Sequence, residues 1–317
     1  MAKLIVVCGA TGQLGGSVAR RMLKEGWQVR AITRNVTGDS AKALAAKGAE
    51  LATANYDDEA SLIKVFEGAN AIFAVTNFWD HVLALGQTGA GEKEYSQCST
   101  IASAASNTAG LEHLVLHTLA SGEKLAGKEY ISPHWDYKDR AADKIKASMP
   151  ELAKKTTFLW VGWFVSNLFG LLKPLELPGS YGAHVVIQPC KPNTIMWVTD
   201  IEHNVGIFVN TVLAKPSVSL PAKYVSVHTD ILSYTDVFAA WSEVTGRRCE
   251  YIECSAEQYE RLYGVFGKEL ASQFKLNEVA PEWGKPYGED LVTAKELGLE
   301  HELLDLRQSL TANKERL

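Results

Sequence analysis

The sequence predicts an α/β fold, a doubly wound parallel sheet with a smaller C-terminal α/β lobe, and three observations carry that expectation. Short apolar runs such as Leu4-Ile5-Val6-Val7-Cys8 lack the alternation of a half-exposed strand, which is how strands covered on both faces read. Segments with helical spacing fall between these runs throughout the first 160 residues. The links are short, so successive strands should run parallel with right-handed crossovers.

The elements follow in order. After the first strand, Leu14, Val18, Ala19, Met22 and Leu23 share one helical face, and Gly26 stops the helix. Residues 28–33 read as the second strand, 41–46 as a short helix and 50–54 as a weaker third strand. Asp57 and Asp58 can cap a helix that turns Leu62, Val65 and Phe66 inward. Strands are expected at 71–75, 111–117 and 157–161, with helices at about 92–108 and after Pro133, where Ala141, Ala142 and Ile145 face the core.

Past residue 165 the rhythm changes. Pro174, Pro178, Gly179, Gly182, Pro189 and Pro192 mark a loop-rich stretch. Regular patterns return as a strand at 195–198, a helix at about 201–213, a strand at 224–227, helices at 233–245 and 256–274, and an amphipathic helical tail at 290–310. The expected division is a dinucleotide-binding domain over 1–160 and a smaller substrate lobe over 161–317, with segments of the lobe returning to the sheet.

Composition excludes several classes. Apolar residues are 46% and charged residues 22% of the 317, which is ordinary globular composition rather than disorder. A net charge of −5 lacks the basic excess of a general nucleic-acid or anionic-membrane binder. The five cysteines form no C-x-x-C pair, so a disulfide framework is not expected and a reducing compartment is. No apolar run approaches a membrane span, and the first residues carry no targeting pattern, so a cytoplasmic location is expected. No His, Cys and acid set has metal-ligand spacing, and no G-x-S-x-G elbow points to hydrolysis.

The strongest chemical signal is Gly9-Ala10-Thr11-Gly12-Gln13-Leu14-Gly15-Gly16, which begins where strand one ends and finishes inside helix one. In this G-x-x-G-x-x-G, Gly9 permits a tight turn, Gly12 lets a pyrophosphate approach the backbone, and Gly15 lets helix pack on strand. The free amides and positive dipole end of the helix face the phosphates. Thr11, Gln13 and Leu14 are cofactor-contact candidates with the glycines, and the sheet is expected to be of the Rossmann type.

That spacing resembles the atypical short-chain dehydrogenases/reductases. Three further segments make the chain similar to the NmrA-like family within them: Val75-Thr76-Asn77-Phe78-Trp79, Pro133-His134-Trp135-Asp136-Tyr137-Lys138 and Gly162-Trp163-Phe164-Val165-Ser166-Asn167. Met196-Trp197-Val198-Thr199-Asp200-Ile201 resembles that family's strand-helix junction in the second lobe. The resemblance implies NADP(H) as cofactor, with Thr76, Asn77, Phe78, Phe164 and Asn167 along it. It also places Asn55 where the family's usual Asp stands near the adenine.

The end of strand two sorts the ribose. A carboxylate there favours NAD, whereas a cation accommodates the 2′-phosphate of NADP. Thr33-Arg34-Asn35 offers no acid, so Arg34 is the candidate phosphate clamp.

Short-chain reductases use Tyr-x-x-x-Lys, in which the lysine holds the nicotinamide ribose and the tyrosine gives a proton. Here Lys138 fits the lysine, but His134 stands four residues before it, on the same helical face. His134 and Tyr137 are rival proton donors. Trp79, Trp135, Trp163 and Tyr181 are candidates for an aromatic substrate wall.

Two functions follow. One is an NADPH-dependent reductase of a small hydrophobic or aromatic carbonyl or conjugated compound. The alternative is a non-catalytic NADP(H) sensor acting through a protein partner, as redox-sensing members of the family do.

Overall fold

The computed structural model describes residues 2–170 and 172–317. The chain first runs β1 (Leu4–Val7), α1 (Gln13–Lys24), β2 (Gln28–Ile32), α2 (Asp39–Ala45), β3 (Glu50–Ala52), α3 (Glu59–Phe66) and β4 (Ala71–Ala74). It continues with α4 (Val82–Ser106), β5 (His113–Thr118), α5 (Gly122–Ala126), α6 (Pro133–Ser148), α7 (Pro150–Ala153) and β6 (Thr156–Val161). The second half gives β7 (Trp163–Phe164), β8 (Leu175–Glu176), β9 (His184–Gln188), β10 (Ile195–Thr199), α8 (Asn204–Ala214), α9 (Pro216–Ser219), β11 (Tyr224–Val227) and β12 (Asp230–Ser233). Last come α10 (Tyr234–Thr245), β13 (Cys249–Glu253), α11 (Ala256–Val279), β14 (Leu291–Val292), α12 (Ala294–Leu297) and α13 (Leu306–Ala312).

Among the described residues, eight strands form one sheet in the order β14-β11-β6-β5-β4-β1-β2-β3, and their pairings are parallel. Strands β11 and β14, both from beyond residue 161, extend it on the β6 side. The period of two along each apolar run divides the sheet's side chains between two cores. Val6, Ile72, Leu114, Leu116, Phe158 and Trp160 pack with Leu62, Phe66, Ile101 and Ile145 from α3, α4 and α6. Ile5, Val7, Phe73, Val115, Leu159 and Val161 pack with Val18, Met22, Val205 and Phe208 from α1 and α8. Fully apolar strands therefore have helices on both faces, as the doubly wound arrangement requires.

Three expectations are corrected. Helix α4 starts at Val82, ten residues before the expected start, and bends at Gly86 with φ +68°; the glycines at 86, 89 and 91 hid its first turns from the helical pattern. The continuous tail helix is instead three pieces. The edge of β11 captures Leu291–Val292, and Gly298 at φ +67° ends α12. Asp305 begins α13 with its own capping box, its side chain accepting from the Gln308 amide. Finally, the loop-rich stretch contains β9, which pairs in parallel with β13, a strand the sequence pattern also missed.

The chain passes from β1 outward to β2 and β3, then back across to β4. The crevice at the C-terminal ends of β1 and β4 lies at this reversal, where open α/β sheets bind ligands. Elements of the second half cover it. Tyr234, Phe238, Trp241, Tyr259 and Phe274 form a separate core with Trp163, Met196 and Val198, anchoring α11 beside the crevice.

Candidate active site

One cleft of about 1130 Å³ runs from the glycine turn to the N-terminal end of α6 and to α11. At the first end the main chain makes the site. Gly9 has φ +64°, and the Gly12 amide donates to the Gly9 carbonyl at 2.9 Å. A Cβ on Gly15 would stand 2.3 Å from the Gly9 carbonyl oxygen, so only glycine lets helix and turn meet. Gly12 caps α1 without a side-chain bond, which leaves the first amides of the helix for a ligand. A cradle this close to bare backbone fits the pyrophosphate of a dinucleotide. Thr11, Gln13 and Leu14 line it, with the Thr11 hydroxyl 3.0 Å from that of Thr33.

At the adenosine end, Arg34 and Asn55 line the cleft with Tyr56 and Ser61. The Arg34 side chain is 84% exposed and donates to Asp80 Oδ2 at 2.8 Å. Asp80 also accepts from Asn77 Nδ2 at 2.7 Å, so Arg34, Asp80 and Asn77 form a chain across the mouth. The Asn55 side-chain oxygen accepts from the Asp57 amide, which fixes its turn. Burial beside the Cys8 thiol pushes the Tyr56 hydroxyl well above the usual phenol range.

At the opposite end, the site is built from side chains. Helix α6 begins at Pro133 and turns His134 and Lys138 to the same side. Lys138 Nζ donates to Glu94 Oε1 of α4 at 2.6 Å and to the Thr76 hydroxyl at 3.1 Å. That hydroxyl itself donates to Glu94 at 2.9 Å. Lysine and glutamate are both buried, so the ammonium already has its countercharge. Next to this pair, burial pushes the Cys98 thiol up to about 11.

His134 Nδ1 lies 2.6 Å from Glu269 Oε1 of α11. A carboxylate oxygen accepts, so Nδ1 carries hydrogen, while Nε2 lies 3.2 Å from Gln273 Oε1. Glu269 is fully buried. Burial acts to raise its carboxyl, but the hydrogen bonds and charge of His134 outweigh this and hold it below the usual carboxylate range. His117, in β5, also lines the cleft. Burial, reinforced by Lys138 and His134, holds its imidazole well below the usual range, which keeps it neutral.

The expected substrate residues divide. Trp79 lines the cleft, stacked on Phe266 with centroids 5.8 Å apart and 5.2 Å from the His134 ring. Trp135 and Trp163 line it as well, Trp135 meeting Trp283 edge to face at 4.6 Å. Phe78, Phe164 and Asn167 join the same wall. Two expectations are corrected. Tyr181 is fully exposed on a loop at φ +54°, outside the cleft. The Tyr137 ring packs against Gly91 of α4 and under the Arg140 guanidinium at 4.6 Å, and it does not line the cleft. Adjacent helical residues are offset by about 100° around the axis, so Lys138 enters the cleft while Tyr137 packs on Gly91.

The sequence reading passed over Glu94, Glu269, Gln273 and Trp283. Glu269 had one available signal, a carboxylate among the buried positions Leu270, Ala271 and Phe274 of α11. Glu94 lies 44 residues before its partner, with no spacing that links them. Among the described residues, no group of three or more His, Cys, Asp and Glu is placed to hold a metal ion, and no helix is long and apolar enough to cross a membrane.

The sequence pattern of the NmrA-like family matches residues 1–314. An NmrA-like family domain-containing oxidoreductase of Aspergillus campestris, cpsB, is 28% identical over 286 residues, spanning 86% of this chain and 81% of that protein. The solved structure of NmrA, a negative transcriptional regulator, in complex with NADP covers 98% of this chain and 94% of its own at 20% identity, with a TM-score of 0.77. Citrobacter sp. triphenylmethane reductase complexed with NADP(H) covers 99% of this chain and 100% of its own at 20% identity, with a TM-score of 0.68. The Rossmann-type sheet is common ground, and with a family pattern that runs along nearly its whole length, this chain belongs to the NmrA-like family.

Proposed function

We propose that the chain is an NADPH-dependent reductase of a small, flat, hydrophobic carbonyl or conjugated compound. The observation that carries this reading is the continuity of one cleft, with a bare-backbone phosphate cradle at one end and His134 among aromatic rings at the other. Gly9, Gly12 and Gly15 would hold the pyrophosphate, and Arg34 would take the 2′-phosphate in exchange for Asp80. Thr76, Asn77, Phe78, Phe164 and Asn167 would line the cofactor's path, and the Lys138–Glu94 pair would meet the ribose hydroxyls. Trp79, Trp135 and Trp163 would enclose the substrate.

When bound, NADPH supplies the hydride. The chain's own contribution is the proton. The Nε2–H bond of protonated His134 breaks, an O–H bond forms on the reduced oxygen, and the electron pair stays on Nε2. The ring is left as the Nδ1–H tautomer already bonded to Glu269, and solvent returns the proton.

The test is NADPH oxidation against a panel of ketones, enones and quinones, followed by single-turnover kinetics on any hit. Replacing His134 with Ala is expected to slow the chemical step by about 10²–10⁴-fold. Unchanged kinetics would remove His134 from the mechanism. A second reading is a redox sensor that binds NADP(H) without turnover and passes its state to a protein partner. Lys138, already paired with Glu94 and bonded to Thr76, favours it, as does the description of NmrA as a regulator. Tight NADPH binding with no oxidation across the whole panel would select this reading.

A further inference from the structure

We infer that Glu269 is the positioning residue of the proton donor, so that helix α11 of the second half completes a site otherwise carried by β5, α4 and α6. The inference rests on the reductase reading above. Glu269 Oε1 accepts from His134 twice, from the main-chain amide at 2.9 Å and from Nδ1 at 2.6 Å. Its other oxygen accepts from Gln87 Nε2 of α4 at 2.6 Å. A fully buried carboxylate with this set of donors is held at one angle, and it holds the imidazole in turn.

The charges around His134 leave this task to Glu269. Lys138, one turn along α6, is neutralised by Glu94 of α4. His117 of β5 is neutral. Among the described residues facing the ring, Glu269 is therefore the anion not spent on another cation, and it is the group able to stabilise the imidazolium before the proton leaves. With Nδ1 bound to a group that can only accept, the proton that can be given is the one on Nε2. Gln273 Oε1 lies 3.2 Å from Nε2, at the place a substrate oxygen would take.

Glu269 also ties α11 to α4 and α6, so a purely structural role must be separated from a positioning one. Three variants do this in the full-length protein: Glu269→Gln, which keeps the shape and removes the charge; Gln87→Leu, which removes the α4 contact and leaves the His134 pair; and His134→Ala. With any reducible compound from the panel, Glu269→Gln should lower kcat by about 10²-fold, leaving KM and the NADPH dissociation constant within about twofold. Gln87→Leu should lower kcat by less than about fivefold. Proton NMR of the wild type should show a far-downfield Nδ1 resonance that is absent in His134→Ala and moved upfield in Glu269→Gln. If His134→Ala slows the reaction and Glu269→Gln does not, the inference is overturned while the reductase reading stands. If neither slows it, His134 leaves the mechanism and this inference falls while the reductase reading stands; if the wild type oxidises no NADPH, both fall. Equal losses in Gln87→Leu and Glu269→Gln, with KM rising in both, would show a structural role and overturn the positioning one.

Discussion

At one end of the cleft the contacts come from consecutive main-chain atoms between Gly9 and Gly16; at the other they come from side chains on β5, α4, α6 and α11. The first end needs no partner elsewhere in the chain to take its shape, because strand, turn and helix are one local unit. The second exists once four separated elements have packed. What a site is made of therefore decides how it fails, with backbone geometry at one end and paired charges at the other.

The largest effects should come at the backbone end. Gly15→Val places a side chain where the Gly9 carbonyl already lies at 2.3 Å, and both cofactor binding and the fold of the turn should be lost. Gly12→Val differs, since a Cβ there stands 3.3 Å from the same oxygen and needs a small adjustment. That variant should fold, melt near the wild type and fail to bind NADPH. Calorimetric titration alongside thermal melting separates the two; wild-type binding by a folded Gly12→Val would remove the turn from the cofactor site.

At the side-chain end, charge matters most. Lys138→Met leaves Glu94 buried without its cation, which should cost about 3–5 kcal/mol in denaturant unfolding. The double variant with Glu94→Leu should recover most of that loss, and failure to recover would show that the pair is not the source of the cost.

Buried histidines away from the carboxylate sharpen the contrast. His113, in β5 and bonded to the Thr157 hydroxyl at 2.8 Å, is pushed down to about 4 by burial. A depressed imidazole means that the unfolded chain binds the extra proton first as pH falls. Stability is fully present above about pH 6.5 and declines between there and pH 4. This group contributes up to about 3 kcal/mol to that decline. His113→Gln should flatten this part of the melting profile, and an unaltered slope would contradict the assignment.

Arg34 should matter less, because it is exposed and already engaged by Asp80. Arg34→Ala should weaken NADPH by about 1.5–3 kcal/mol, leaving NADH unaffected. Asp80→Asn should tighten NADPH, and equal affinities of the wild type for the two nucleotides would refute the clamp. The smallest effect is expected from Tyr137→Phe, within about 0.5 kcal/mol in stability and with no change in turnover, since its ring packs outside the cleft. A large loss of activity in that variant would reverse the choice between the two donors.

The same contrast explains what the sequence disclosed. The glycine turn, the β1–α1 unit and the buried strands could be read because each signal lies within a few residues of its consequence. The spacing of Lys138 and His134 on one helix is legible in the sequence, but their carboxylate partners are not. Glu94 and Glu269 reach them only through tertiary packing, at separations of 44 and 135 residues. Tyr137 lies outside because it stands about 100° around the helix from its neighbour Lys138, which faces the cleft. The tail was misread because an amphipathic pattern does not show that Leu291–Val292 will be taken up by a strand edge.

The most direct test of the account is a crystal structure of the full-length protein with NADP⁺. The account predicts the pyrophosphate on the free amides at the start of α1, the 2′-phosphate on Arg34 with the Asp80 contact broken, and the nicotinamide ring between the Lys138–Glu94 pair and His134. A dinucleotide bound with its phosphates away from Gly9–Gly15, or with its nicotinamide turned away from His134, would contradict it.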